Sequence, residues 1–263
     1  MILPEIDPIA LQLGPLAIRW YSLTWIGAIS LIYYLMIKRS NSLSSDQVSD
    51  LIFYGVIGAI IGGRLGYMFF YSLGQVIADP LSIFRVWEGG LSFHGGLIGV
   101  LISTLLLAKR WRIKYFWLMD RIAPCIPPGL GTVRVGNFLN SELLGRPTNS
   151  TWGVIFPSDS LSVLRHPSQL YQALAEGVLL FVFLLWISRK PKPTMNISGY
   201  FLIGYGVLRF CTEFYRTPDG HIGLVAFDLF TRGQMLCLPM IVIGLYLIYY
   251  SHLKNGSENE TIS

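Results

Sequence analysis

Seven apolar stretches dominate this chain, at Leu16 to Ile37, Val48 to Leu73, Gly95 to Ala108, Tyr115 to Val135, Leu170 to Ser188, Gly199 to Tyr215 and Gly233 to Ser251. A hydrocarbon core about 30 Å thick takes roughly 20 apolar residues of helix to cross. Inside it every backbone polar group must be bonded within the protein, which leaves helices and closed barrels as the spanning forms. The predicted fold class is all-α, a polytopic membrane protein with about seven transmembrane helices and a small extracytoplasmic segment. The third stretch is short, and Pro124, Pro127 and Pro128 interrupt the fourth, so a break is expected there. Composition agrees: 52% of residues are hydrophobic, 13% are charged and the mean hydropathy is +0.53, values foreign to soluble domains.

Basic residues set the orientation. Lys38 and Arg39, then Lys109, Arg110, Arg112 and Lys114, then Arg189, Lys190 and Lys192, then Lys254 fall on one set of loops. The positive-inside bias predicts an N-terminus outside and a C-terminus in the cytoplasm. No basic stripe interleaves with stacking aromatics, so the net charge of +5 reflects this bias and anionic lipid, and nucleic acid is not a partner. The first fifteen residues contain no Lys or Arg, unlike a cleavable signal peptide, so the first span is read as retained. One catalytic domain is expected over residues 1–254, with an outer-side segment at about 137–169 rich in Gly, Pro, Asn and Ser, and a polar disordered tail over 255–263. Pro167 suits the first turn of a helix starting near Ser168. Cys125, Cys211 and Cys237 lie in different spans without C-x-x-C spacing, as small buried apolar residues would.

Polar groups at membrane depth mark function, because each costs several kcal/mol unless paired or facing water. The run Arg134 to Gly145 places a cation, amides, a carboxylate and two glycines where a span ends. Tyr205, Arg209 and Glu213 recur every four residues and therefore share one helix face. An Arg209 to Glu213 pair could simply neutralise itself, but a second cation and carboxylate set at Arg134 to Glu142 points to a shared polar cavity and an anionic ligand such as a lipid headgroup. His94 sits at the outer mouth of the third span before Gly95 and Gly96. An imidazole of ordinary pKa about 6.5 can take a proton from a thiol, or can serve only as a hydrogen-bonded structural group. Gly58, Gly62, Gly63 and Gly66 read as a helix-packing seam rather than a phosphate loop, and Arg64 among them needs a partner or the cavity.

The blocks His94-Gly95-Gly96-Leu97-Ile98-Gly99, Arg134 to Gly145 and His166-Pro167-Ser168-Gln169-Leu170-Tyr171, with the Tyr205, Arg209, Glu213 face, resemble the bacterial prolipoprotein diacylglyceryl transferase family in order and spacing across nearly the whole chain. The resemblance implies a seven-span inner-membrane enzyme that moves diacylglycerol from phosphatidylglycerol to the lipobox cysteine in the signal peptide of a preprolipoprotein, releasing glycerol 1-phosphate. It implies that Arg134 holds the lipid phosphate, with Asn137, Glu142 and Gly145 shaping that pocket. Arg209 would stabilise charge on the leaving phosphate, His94 would accept the thiol proton, Tyr205 and Glu213 would orient Arg209, and Tyr21 would match a tyrosine the family requires. In one departure, Gly131-Thr132-Val133-Arg134 has valine where the family commonly has glycine before the signature arginine.

The chemistry asks for no cofactor, and no His, Cys, Asp and Glu set has metal-ligand spacing, so no metal is expected. Seven spans with broken helices would also suit a transporter of an anionic solute, binding near midplane between matched interrupted helices. Here the two halves show no matched pair of interrupted spans, and the polar clusters sit toward the outer ends. A lipid-scrambling or purely structural protein would leave His94 and the two arginines unexplained.

Overall fold

The computed structural model describes residues 2–14, 16–39, 42–218, 224–226 and 230–260. An antiparallel hairpin, β1 (Ile9–Leu13) and β2 (Leu16–Arg19), leads into helix α1 (Trp20–Arg39). There follow α2 (Ser45–Phe70), α3 (Leu73–Ala78), α4 (Phe93–Arg110), α5 (Tyr115–Ile122) and α6 (Ile126–Leu139). After the outer segment come α7 (Ser168–Gln172), a π-helical stretch Ala173–Leu179, α8 (Leu180–Ile187) and α9 (Asn196–Glu213). A second small hairpin, β3 (Leu224–Ala226) with β4 (Phe230–Thr231), precedes α10 (Arg232–Glu260).

The chain is a mostly helical, multi-pass membrane protein. Five helical runs among the described residues are long and apolar enough to cross a membrane: Trp20–Arg39, Ser45–Phe70, Phe93–Arg110, Ser168–Ile187 and Arg232–Lys254. The other two expected stretches are also helical. One is split by a 3-10 turn at Ala123–Cys125 between α5 and α6, where the prolines fall, and the other, α9, carries Arg209 and Glu213. The third stretch is longer than its apolar residues suggested, because Ser92 accepts the Gly95 amide at 3.4 Å and starts α4 at Phe93. Pro167 takes the N-cap place of α7 rather than its first turn. Residues 255–260 of the expected polar tail continue α10, and 261–263 lie outside the described residues.

Two compact units divide the chain, Met36–Leu118 and the combination of Met1–Leu35 with Met119–Ser263. In the first, α2 and α4 meet along glycines. A Cβ on Gly99 would strike the Gly58 carbonyl, and one on Gly62 would lie 2.9 Å from Gly99 Cα. The packing-seam reading of these glycines therefore holds. Arg64 is buried, has no carboxylate partner among the described residues and is satisfied by backbone: Nε donates to the Ile83 carbonyl at 3.1 Å, Nη2 to Ser82 at 2.6 Å, and Nη1 to Gly89. One guanidinium thus pins the turns between α3 and α4.

In the second unit, α1 and α6 run antiparallel at close approach. Gly136 meets Thr24, Gly27 meets Thr132 and Gly129 meets Ala28 and Ile32. Ala123, Leu180, Leu184 and Ile197 form a buried cluster joined by Tyr205 and Leu208. The outer segment has its own small core of Leu3, Val154 and Phe156 under Phe138 and Leu144. Beside it Arg165 grips Asp159 with two bonds of 2.8 Å, and both side chains are buried. Cys125 and Cys237 are buried as expected, whereas Cys211 is exposed. It lies two residues, about 200° around the helix, from Arg209, so it faces away from the buried ions.

The Arg165 guanidinium holds the Asp159 carboxyl below the usual carboxylate range. A depressed folded pKa contributes stability that is present above the ordinary value of about 3.9 and is lost as pH falls through the folded value. Amide exchange over residues 146–166 should therefore accelerate below about pH 4, before exchange in the helices. Asp159→Asn should raise exchange at pH 7 and remove the acid step; an unchanged acid step in that variant would show that other carboxyls control the segment.

Candidate active site

The centre of the second unit is a carboxylate at an irregular turn. Gly131 of α6 and Gly177 of the π-helical stretch touch, since a Cβ on Gly177 would sit 2.7 Å from Gly131 Cα. Only glycine on both sides allows this approach, and it brings Glu176 to Arg134, three residues along α6. Glu176 is wholly buried. Its Oε2 lies 3.6 Å from Arg134 Nη2 and its Oε1 3.8 Å from Arg209 Nη1, while the Thr212 hydroxyl donates to Oε1 at 3.2 Å. Arg209 also meets Glu213 at 2.7 Å, and Glu213 meets Arg216 at 3.6 Å. Three guanidiniums and two carboxylates thus form one chain of ion pairs with a net positive charge, a site that favours an added anion. Glu176 Oε2 has no hydrogen-bond partner among the described residues.

The start of α10 holds the far end of this chain. The Thr231 amide donates to the Gln234 side chain at 3.0 Å and the Gln234 amide to Thr231 Oγ1 at 3.2 Å, a reciprocal cap. The same Thr231 hydroxyl donates to Glu213 Oε1 at 3.2 Å. A Cβ on Gly233 would come within 2.8 Å of that carboxylate, so the helix start closes directly over Glu213.

Above the ions, α6 ends in a strained loop. Ser141 and Leu143 adopt left-handed φ of 51° and 54°, a conformation costing about 1–3 kcal/mol each for non-glycine residues. Four successive carbonyls hold it there. Ser141 accepts from Ser158 Oγ at 2.7 Å, Glu142 from Gln169 Nε2 at 2.5 Å, Leu143 from Ser168 Oγ at 3.3 Å, and Leu144 from the Thr217 amide at 3.0 Å. The exposed Glu142 side chain is clamped by the amides of Asn137 at 3.1 Å and Asn140 at 2.5 Å. Gly145 is threaded between two strands of backbone: it bridges to Arg216, its carbonyl accepts from Thr217 Oγ1 at 2.8 Å and Arg165 Nη1 at 3.1 Å, and the His166 carbonyl occupies the place of any Cβ.

A cavity of about 420 Å³ opens beside Thr212, lined by Trp152, His166, Tyr171, Cys211 and Tyr215. The His166, Tyr171 and Tyr215 rings stand 5.1–5.9 Å apart, and Trp152 donates to the Tyr171 hydroxyl at 2.8 Å. A buried cationic chain next to an aromatic-walled cavity suits a ligand with an anionic head and an apolar body. The sequence profile of a family described as prolipoprotein diacylglyceryl transferase matches residues 8–250. The chain belongs to this family. A phosphatidylglycerol–prolipoprotein diacylglyceryl transferase of Ectopseudomonas mendocina (strain ymp) is 51% identical over 255 residues, covering 95% of this chain and 96% of that protein. Proteins of the same name from Acinetobacter baumannii (strain SDF) and Acinetobacter baylyi are each 47% identical over 257 residues, with 95% and 94% covered.

In this family member, Arg134, Arg209 and Glu213 come together as parts of one ion chain. The two charged sets expected from the sequence are joined through Glu176, which was not anticipated although it is the one acid in the span from Leu170 to Ser188. Arg216, one turn beyond Glu213, was likewise missed. Asn137, Glu142 and Gly145 build the loop. Tyr205, the next turn along α9 from Arg209, stacks on Phe201 at 6.0 Å in the core. Tyr21 packs edge-on to Trp25 at 6.4 Å, one turn before the Thr24 contact with Gly136. His94 belongs to the other unit, where it is exposed in the first turn of α4 beside Phe93.

Gly145→Ala should inactivate the protein and lower its melting temperature, because the new methyl meets backbone that cannot move aside without breaking the Arg216 bridge. Ala at Gly55, where a Cβ meets nothing within 4 Å, is the matched control and should be near neutral. Equal melting temperatures and activities for the two variants would contradict the threading.

Proposed function

We propose that the chain transfers the diacylglyceryl group of phosphatidylglycerol to the lipobox cysteine of a preprolipoprotein signal peptide; the names of its relatives give diacylglyceryl transfer between phosphatidylglycerol and prolipoprotein for those proteins. The observation that carries this reading is the pairing of Arg134 and Arg209 across the single buried carboxylate of Glu176. Contacts of 3.6 and 3.8 Å are too long for charge-assisted hydrogen bonds, which close near 2.7–2.9 Å. The two Glu176 contacts therefore leave both cations able to bond a phosphate, while Glu213, 2.7 Å from Arg209, fixes where that guanidinium sits.

The reaction forms a bond between the cysteine sulfur and the lipid glycerol carbon and breaks that carbon's bond to the phosphate oxygen, which leaves as glycerol 1-phosphate. Negative charge grows on the phosphate, where two preplaced guanidiniums stabilise the transition state more than the ground state. Arg134 holds the phosphate, and Arg209 stabilises the leaving group. Glu213 and Tyr205 position Arg209, the loop of Asn137, Glu142 and Gly145 shapes the pocket, and Tyr21 is a further residue the reaction requires. A thiol of pKa about 8.5 must lose its proton to attack, and His94 accepts it. In this assignment residues 1–254 work as one catalytic domain in the bacterial cytoplasmic membrane, with the N-terminus outside and the C-terminus in the cytoplasm.

Purified protein given phosphatidylglycerol and a lipobox peptide should yield a thioether-linked diacylglyceryl peptide and glycerol phosphate; a folded protein that makes neither would end the proposal. His94→Gln should slow the reaction by about two to four orders of magnitude. Its defect should shrink from pH 6 to 9 as more peptide thiol ionises unaided. Parallel pH profiles for wild type and variant would remove His94 from the role of base.

A further inference from the structure

Gln169, Gln172 and Glu176 follow one another at spacings of three and four along the continuous helix of α7 and the π-helical stretch, so they form a single stripe. Their exposures are 0%, 1% and 0%. Both ends of the stripe are engaged with the site already described. Gln169 donates to the Glu142 carbonyl in the strained loop, and Glu176 stands between Arg134 and Arg209. Gln172, between them, has neither its Nε2 nor its Oε1 hydrogen-bonded among the described residues, and Gln169 Oε1 and Glu176 Oε2 are in the same condition.

A buried amide with both ends unpaired is costly, and an apolar side chain of the same length would avoid that cost. Its chemistry therefore points to a ligand that donates and accepts at the same place. Given the proposed transfer reaction, the lipid phosphate rests on Arg134 and Arg209. The next group outward, toward the strained loop and alongside Gln172, is then the substituent on the far side of the phosphate. In phosphatidylglycerol that substituent carries two hydroxyls, each a donor and an acceptor. An ammonium headgroup offers donors only and brings a positive charge beside a chain of three guanidiniums and two carboxylates.

We infer that Gln172 is a specificity-determining residue that hydrogen-bonds the hydroxyls of the phospholipid headgroup, and so selects a polyol-bearing anionic lipid as donor. The inference rests on the transferase reading. Its test compares transfer from phosphatidylglycerol with transfer from phosphatidylethanol, which has the same phosphodiester and charge but no headgroup hydroxyl. Wild type should prefer phosphatidylglycerol. Gln172→Met, close in length but apolar, should lower kcat/KM for phosphatidylglycerol by about 10–100-fold, the effect of roughly two neutral hydrogen bonds, chiefly through KM. It should leave phosphatidylethanol within about 3-fold, at an unchanged or higher melting temperature. Gln172→Leu should behave alike, and Gln172→Glu, which still accepts from hydroxyls, should keep part of the preference. Equal losses on both lipids, or an undiminished preference in the Met and Leu variants, would overturn the inference while leaving the transferase reading standing. Wild-type protein inactive on both lipids would overturn the two together.

Discussion

Glu176 is the group on which the rest of the site depends. A single buried carboxylate keeps two arginines from separate helices within 4 Å of one point. Without it, Arg134 and Arg209 would repel each other across a poorly solvated space, and removing one partner of a buried ion set typically costs about 3–5 kcal/mol. The same carboxylate leaves the chain of charges short of neutrality, since Glu213 is shared by Arg209 and Arg216. An anion with several oxygens can complete the balance. The arrangement is poorly explained as a stability device, because buried ion pairs seldom outperform well-packed apolar residues.

Backbone geometry brings these ions together. Contact between Gly131 and Gly177 sets the spacing of Arg134 and Glu176, and Gly233 lets α10 begin directly over Glu213. The loop after α6 contributes in a different way. Its two left-handed residues, Ser141 and Leu143, store strain that bonds from Ser158, Gln169, Ser168 and Thr217 offset. Those donors come from the outer segment, from α7 and from the segment after α9. The loop is therefore shaped only once all three are in place, which explains why a glycine as constrained as Gly145 lies where the segments cross.

Much of this was legible in the sequence, for definable reasons. Apolar length announced the helices, and Pro124, Pro127 and Pro128 announced the break between α5 and α6. Four-residue spacing placed Arg209 and Glu213 on one face, and they pair at 2.7 Å. Other features were hidden because they depend on contacts between distant segments. Periodicity carries no sign of a π-helical stretch, and Ser141 and Leu143 are not residues that advertise positive φ. Arg64 read as a residue in need of a partner or a cavity, and its partners are backbone carbonyls 18–25 positions away that no local pattern identifies. Glu176 left one trace, a lone acid in an apolar span, which is by itself a functional signal.

In the proposed reaction Arg134, Glu176 and Arg209 act as one anion clamp. A double-mutant cycle on kcat/KM for phosphatidylglycerol, pairing Glu176→Gln in turn with Arg134→Ala and Arg209→Ala, tests it most directly. Coupling energies of about 0.5–3 kcal/mol are expected in both cycles, the range for residues in one charged network. Losses that add to within about 0.3–0.5 kcal/mol in both cycles would show three independent residues and contradict it.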